Sequence, residues 1–328
     1  MTNTYSVGAQ SYLALYDEPT WGTTPSPVTY YHIPVMDYGV RFRTTRRRAE
    51  MYDGLFQKKH GKNMRGQPAG RMVTSLFGWR DTSISGATSL AEYCLNWALL
   101  NHEDQILPSK GAFWAQGPNT SNKIHTGLQV NRAVLTGSEQ SMVIGLALDL
   151  MGQQEKKQSV AGTAPALPDD RNAEVEFQFS DVLFYLYGDD LPSGGGLMNI
   201  GSFALDINHG LTSRWQNSYT PTIQVKTNRR VNFSITPAKK DPTGDYFDYL
   251  RTLPAMTEFV GQLVLKGYHM GTGATGDYAV ITLDFPRLQF ADSEDIGGKT
   301  DIIDQGLQFD VLKPDTTRLD LELTASEA

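Results

Sequence analysis

The stretch from Arg229 to Phe290 constrains the fold more than any other, because its hydrophobic period switches in a fixed order. Arg229 to Pro237 alternates Val231, Phe233 and Ile235 with polar residues, the period-two pattern of a half-buried strand. Asp241-Pro-Thr243 then opens a short helix with Tyr246, Leu250 and Leu253 on one side. Phe259 to Tyr268 reads as a strand, Gly271-Thr-Gly-Ala-Thr-Gly276 turns the chain, and Tyr278 to Phe285 runs back. The same order of elements occurs once before, between Gly70 and Gly152. There Arg71 to Trp79 is the strand, and the capping box Ser89-Leu-Ala-Glu92 starts a helix with Leu90, Cys94, Trp97 and Leu100 at helical spacing. Thr126 to Thr136 and Met142 to Leu150 form a hairpin across Gly137 to Ser141. The repeat is one of pattern, with little identity. An internal duplication explains it, and so does the ordinary alternation of a β-rich chain.

Composition agrees with a β-rich class. The 31 glycines, the 15 tyrosines and the many short alternating runs argue against a helical protein. At 328 residues and 40% hydrophobic content, the chain can bury one large core or two ordinary ones. A net charge of -7 argues against a general nucleic-acid binder. The single cysteine, Cys94, precludes an intrachain disulfide and suits assembly in a reducing compartment. No apolar run approaches the roughly 18 residues of a membrane span. The start lacks the charged and apolar regions of a secretory signal, so folding in a cytoplasm and no membrane contact are expected.

Along the chain, Tyr12 to Tyr16 reads as a short strand and Asp17 to Pro27 is held out of helix by Pro19, Gly22, Pro25 and Pro27. Val28 to Val35 is extended. This segment is either an arm laid across a sheet or a plain N-terminal loop. Gly39 to Arg48 alternates as a strand. The polar stretch Arg46 to Arg71 reads as a long basic loop carrying Arg46, Arg47, Arg48, Lys58, Lys59, Lys62 and Arg65. It has three readings: a solvated loop, a nucleic-acid contact, or a loop that docks on an acidic partner. Gln153 to Asn172 is a composition break and the best linker. Asn199 to Asn208 is a strand like Gly39 to Arg48, and His209 to Asn228 is again a long polar connection. Further strands are expected at Glu174 to Phe179, Val182 to Tyr187, Ile302 to Leu312 and Leu319 to Leu323.

The motifs of chemistry are weak. Gly271 to Gly276 spells GxGxxG, but a strand follows where a dinucleotide site needs a helix, so a hairpin turn is the reading. Ser193-Gly-Gly-Gly196 lacks the lysine and helix of a phosphate loop. The six histidines are scattered and one cysteine makes no thiolate zinc site. Asp292-Ser-Glu-Asp295 lacks the spaced ligands of a calcium loop and reads as a solvated turn. Neither catalysis, metal nor cofactor is expected.

Charge is distributed unevenly. From Arg41 to Arg71 there are ten Lys/Arg against two Asp/Glu, and from Asp284 to Ala328 eleven Asp/Glu against four Lys/Arg. Opposed patches of this kind suit head-to-tail stacking of identical subunits, with the basic loop meeting an acidic surface at Asp292, Glu294, Asp295, Asp301 and Asp304.

Several segments, taken in order, resemble the tail tube proteins (major tail proteins) of long-tailed bacteriophages. They are Tyr16-Asp-Glu-Pro-Thr-Trp-Gly-Thr-Thr-Pro25 with Ile33-Pro-Val35, Phe179-Ser-Asp-Val-Leu-Phe184, Ile200-Gly-Ser-Phe-Ala-Leu-Asp-Ile-Asn208, Leu283-Asp-Phe-Pro-Arg-Leu-Gln-Phe290 and Gln305-Gly-Leu-Gln-Phe-Asp-Val311. The resemblance implies a mainly β protein of two tandem tail-tube-like β-sandwich or barrel units, each with one short packed helix. Residues 1–160 would form the first unit, 161–173 a linker and 174–328 the second unit. It further implies a structural virion protein whose rings stack into the tail tube and give DNA a channel into the host. Three chains per ring are favoured over six, with the long loops Arg46 to Arg71 and His209 to Asn228 reaching the neighbouring ring. Partners would be the chain itself and the tape measure, terminator and baseplate proteins. DNA would pass without specific binding, and the site of residence would be the virion tail, assembled in the host cytoplasm. A tail terminator, a baseplate hub and a soluble carbohydrate-binding β protein are the alternatives.

Overall fold

The computed structural model describes residues 11–47, 51–52, 58–59, 63–76, 90–99, 108–115, 122–158, 176–189, 191, 194–216, 218–237, 256–268, 278–296, 304–314 and 319–327. Those residues are mainly β, with twenty-one strands and one α-helix among them. The first half runs β1 (Tyr12–Asp17), β2 (Tyr31–Ile33), β3 (Asp37–Tyr38), β4 (Arg41–Arg47), β5 (Met51–Tyr52), β6 (Lys58–Lys59), β7 (Asn63–Ser75) and α1 (Leu90–Leu99). It continues with β8 (Lys110–Ala115), β9 (Asn122–Ser138), β10 (Gly145–Met151) and β11 (Gln154–Gln158). After a 3-10 turn at Phe179–Asp181 come β12 (Val182–Tyr187), β13 (Gly195–Met198), β14 (Ile200–Asn208), β15 (Leu211–Arg214) and β16 (Ile223–Lys226). Then follow β17 (Arg230–Pro237), β18 (Glu258–Tyr268), β19 (Tyr278–Ile296), β20 (Asp304–Val311) and β21 (Glu322–Glu327).

One antiparallel ribbon organises the molecule. Its strands pair in the order β4, β7, β10, β9, β14, β17, β20, β19. The junction between β9 and β14 joins the two halves of the chain, with Ser138 opposite Ser202 and Arg132 opposite Asn208. Period two decides the ribbon's two faces. Met72, Leu146, Leu148, Leu135, Leu205, Ile207, Phe233, Ile235, Leu307 and Phe309 are buried on one of them. Arg71, Arg132, Asn208, Asn232 and Asp310 lie exposed on the other. Phe233 is fully buried, with its ring 5.2 Å from Phe184 and 4.8 Å from Phe285.

Further strands continue from the ribbon. The first part of β9 pairs with β8 and β11, β8 pairs with β1, and β1 with β2. The first part of β19 pairs with β18 and β21, β18 pairs with β12, and β12 with β13. Every residue of α1 except Asn96 is buried, the carboxylate-bearing Glu92 included, so the helix is enclosed nearly all round rather than on a single face. Its last carbonyls are capped from the other half of the chain. His209 Nε2–H donates to the Ala98 carbonyl at 2.8 Å and Arg229 Nη1 to the Leu99 carbonyl at 3.1 Å.

Several sequence expectations need adjusting. Arg46 to Arg71 is not one long loop, because β4 persists to Arg47 and β7 begins at Asn63, making a hairpin with Arg47 opposite Asn63. Gly66, Pro68 and Gly70 are residue types disfavoured inside strands, yet each fits here for a local reason. Phe42 lies opposite Pro68 and turns its N–H to the carboxylate of Glu155 instead, so the ring's missing donor costs that pair nothing. A Cβ at Gly66 would lie 2.2 Å from the Phe42 ring, and one at Gly70 2.3 Å from the Gly39 carbonyl oxygen. The connection His209 to Asn228 likewise holds a small hairpin, β15–β16. In the composition break, Gln154–Gln158 is a strand paired with β9. The expected helix at Asp241 to Leu253, the linker 161–173 and the glycine turn Gly271 to Gly276 lie outside the described residues. The strands flanking that turn do pair antiparallel, with Tyr268 opposite Tyr278.

Candidate assembly surfaces

The exposed face of the ribbon carries mixed charge set by register. Asp149 stands opposite Arg71 on one side and Arg132 on the other. Across the junction of the halves, Arg132 holds Asp206 with two hydrogen bonds, Nε to Oδ1 at 2.8 Å and Nη2 to Oδ2 at 2.6 Å. Both side chains are partly exposed, so the pair contributes about 0.2–1 kcal/mol and serves register more than stability.

The ribbon ends in two edges. At one, Arg41, Phe42, Arg43 and Thr44 of β4 are exposed. The outward Phe42 N–H donates to Glu155 Oε2 at 3.0 Å. At the other, β19 runs past Gln289, its last residue paired with β18, to Ile296. Among the described residues no strand pairs with the outer side of β4, or with β19 beyond Gln289 on the side away from β20.

The residues expected to dock rings fall at two hairpin ends. Arg46 and Arg47 close β4, Lys58 and Lys59 form β6 opposite Tyr52 and Met51, and Arg65 is an exposed residue of β7. Arg48 and Lys62 lie outside the described residues. The Arg65 guanidinium sits 6.0 Å from the Trp215 ring centre, which ties this hairpin to the segment before β16. Gly66 N–H donates to the Tyr219 carbonyl at 3.1 Å and Ser213 Oγ to Gln67 Oε1 at 2.7 Å. The two long polar connections therefore meet each other. On the acidic side, Asp292, Glu294 and Asp295 extend β19, and Asp304 stands opposite Ile296 at the start of β20. Asp301 lies outside the described residues.

Two polar clusters were not foreseen as contacts, although Glu18 and Gly22 of the first belong to the segment Tyr16 to Pro25 quoted above. In the N-terminal strap, the Glu18 carboxylate accepts from Gly22 N–H at 2.8 Å, Ser109 Oγ at 2.6 Å and Gly127 N–H at 2.9 Å. Trp21 Nε1 donates to the Gly127 carbonyl at 3.0 Å. Burial raises the Glu18 pKa, with these hydrogen bonds opposing the shift. Gly22 is required at φ +74°, where a Cβ would also strike the Gln153 side chain at 1.8 Å. The Glu-x-x-x-Gly spacing is thus a clamp that ties the strap to β9. In the second cluster, Tyr38 OH lies 2.8 Å from His125 Nδ1 and His125 Nε2 lies 3.1 Å from Glu155 Oε2. With a neutral imidazole, Tyr38 donates to Nδ1 and Nε2–H to the carboxylate. The hydrogen bond from His125 is the largest cause holding Glu155 down to a pKa of about 2. Spacings of 87 and 30 residues left this relay no local signal.

Cys94 is buried and its thiol is pushed up to about 12 by desolvation, as expected of a core residue. An open groove of about 400 Å³, lined by Tyr187, Asp189, Glu258, Val260 and Arg287, lies beside β12 and β18. Within it Arg287 pairs with Glu258. Among the described residues no group of three or more His, Cys, Asp or Glu is placed to hold a metal ion, and no helix is long and apolar enough to cross a membrane. No family model matches the chain, and no curated protein matches it.

Proposed function

We propose that this chain is a structural virion protein built of two tandem tube-like units, residues 1–160 and 174–328, that closes into rings and stacks into a phage tail tube. The observation that carries the reading is the order of strand pairing. The order β4, β7, β10, β9 in the first half matches β14, β17, β20, β19 in the second. The satellite strands correspond too: β8 to β18, β1 to β12, β2 to β13 and β11 to β21. The irregularities also fall alike. The β8–β9 pairing shifts register between His125 and Leu128, and the β18–β19 pairing between Phe285 and Leu288. The β9–β10 pairing steps over Asn131 and the β19–β20 pairing over Ala291. Bulges at matching places are hard to reach by chance alternation.

A ribbon with one buried face, one polar face and an open edge at each end is suited to extension by further copies. Closure into a barrel removes such edges. Three chains give a ring of six quasi-equivalent units, with the polar face turned to the channel. Opposed charges on that face, interleaved across strands, leave no large basic surface to hold passing DNA. The tape measure, terminator and baseplate are the other partners of such a tube.

Negative-stain microscopy of the purified protein tests the reading. Tubes or stacked rings are expected. Discrete single rings point to a terminator or hub, and a stable monomer at high concentration overturns the proposal.

A further inference from the structure

We propose that the outer edge of β4 receives the outer edge of β19 from a second copy of this chain, antiparallel, with Arg43 opposite Asp292, Phe42 opposite Ser293 and Arg41 opposite Glu294. The inference rests on the ring reading above and specifies its contact.

The junction inside the chain is the template. The bulge residues Asn131 and Ala291 correspond, so Arg132 of β9 corresponds to Asp292 of β19. Following the pairs across the ribbon from Arg132 leads through Asp149 and Arg71 to Gly39. Following them from Asp292 leads through Gln308 and Ser234 to Ala204. Gly39 therefore corresponds to Ala204, and Arg41, Phe42 and Arg43 to Asp206, Ile207 and Asn208. Inside the chain, Arg132 stands opposite Asn208, Ala133 opposite Ile207 and Val134 opposite Asp206. Carrying those pairs to the free edges gives the proposed register.

The hydrogen-bond phase agrees. His209 N–H donates to the Asn131 carbonyl, so alternate residues of β14, including Ile207, turn their N–H groups toward β9. Phe42, which corresponds to Ile207, also turns its N–H outward, where Glu155 caps it in the free chain. A partner strand takes that donor over through the Ser293 carbonyl, and Glu155 keeps His125 and Lys123, the latter at 3.6 Å. The capped donor guards the edge until the right strand arrives.

Charge then tells the two junctions apart. Inside the chain, the arginine is on β9 and the acid on β14. Between chains, the acids Asp292 and Glu294 are on β19 and the arginines on β4. A β19 edge offered to β14 would set Asp292 beside Asp206, and a β9 edge offered to β4 would set Arg132 beside Arg41. Like charges at such positions are destabilising, so each edge rejects the other's partner. A slip of one residue would also turn the apolar set to the wrong face.

The test uses the full chain carrying Phe42→Cys with Ser293→Cys, the native Cys94 being buried. After oxidation a covalent trimer is expected on a non-reducing gel. The off-register pairs Phe42→Cys with Ala291→Cys or Asp295→Cys are expected to cross-link at least tenfold less. In parallel, Arg41→Asp with Arg43→Asp, and Asp292→Arg with Glu294→Arg, are each expected to abolish rings, and all four together to restore them. If rings form while an off-register pair cross-links best, or the fourfold variant stays monomeric, this register is wrong and the ring reading stands. If the unsubstituted protein makes neither rings nor tubes, both fall.

Discussion

At the scale of single residues, two titratable groups, the buried His209 and the partly buried Glu155, make stability depend on acid. His209 is 1% exposed, and burial holds its pKa down to about 4. The unfolded chain takes up this proton near pH 6.5, while the folded chain resists until about 4. Stability therefore falls as pH drops through that window, by roughly 3 kcal/mol in all. Glu155 acts lower down: its pKa is held at about 2 against an ordinary 4.5, so its contribution is full above the ordinary value and is lost as pH falls toward 2. Denaturant titrations at a series of pH values are expected to show two acid-side losses, and His209→Gln to flatten the upper one. A variant that keeps the slope between 6.5 and 4 would assign it to another group. His209 read from sequence was only the first residue of a polar connection. Its role as a cap on α1 depends on a contact 111 residues away, and no spacing rule encodes that.

At the scale of elements, what was legible follows burial. Strands with one buried face, such as β14 and β17, carry a clean apolar period and were read within a residue or two of their ends. The helix α1 was read from its capping box. Of the β4–β7 hairpin only the β4 strand is legible, because Asn63 to Gly70 of β7 carries no apolar alternation. Pro68 and two glycines then mimic a loop. The two polar connections were each identified as long and unusual, but not that they touch. Their contact yields a prediction. Trp215→Ala removes the ring beneath Arg65 and leaves the ribbon core untouched. Limited proteolysis should then cut between Leu211 and Lys226 several-fold faster, with the melting temperature within about 2 °C of the parent. Equal cutting rates would mean that the Gly66–Tyr219 and Ser213–Gln67 hydrogen bonds hold the segment without the ring.

At the scale of the whole molecule, the proposed ring-and-stack assembly assigns lateral growth and axial growth to different parts of the chain. In that reading the free edges of the ribbon face neighbours within a ring, whereas β4 ends at Arg46 and Arg47 and β6 carries Lys58 and Lys59, beyond the edge residues Arg41 to Arg43. Charge reversal at Arg47, Arg48, Lys58 and Lys59 should therefore leave the fold and the ring intact and stop rings from stacking. Reversal at Arg41 and Arg43 should stop the ring itself. Microscopy of the two variants separates these outcomes: isolated rings from the first, single chains from the second. Because exposed charges act through solvent, the stacking step should also weaken as added salt shortens the Debye length below about 8 Å, while edge pairing, held by backbone hydrogen bonds as well as by charge, should weaken less. If hairpin reversal still yields normal tubes, the basic run is a solvated surface and the axial contact must lie elsewhere on the rim.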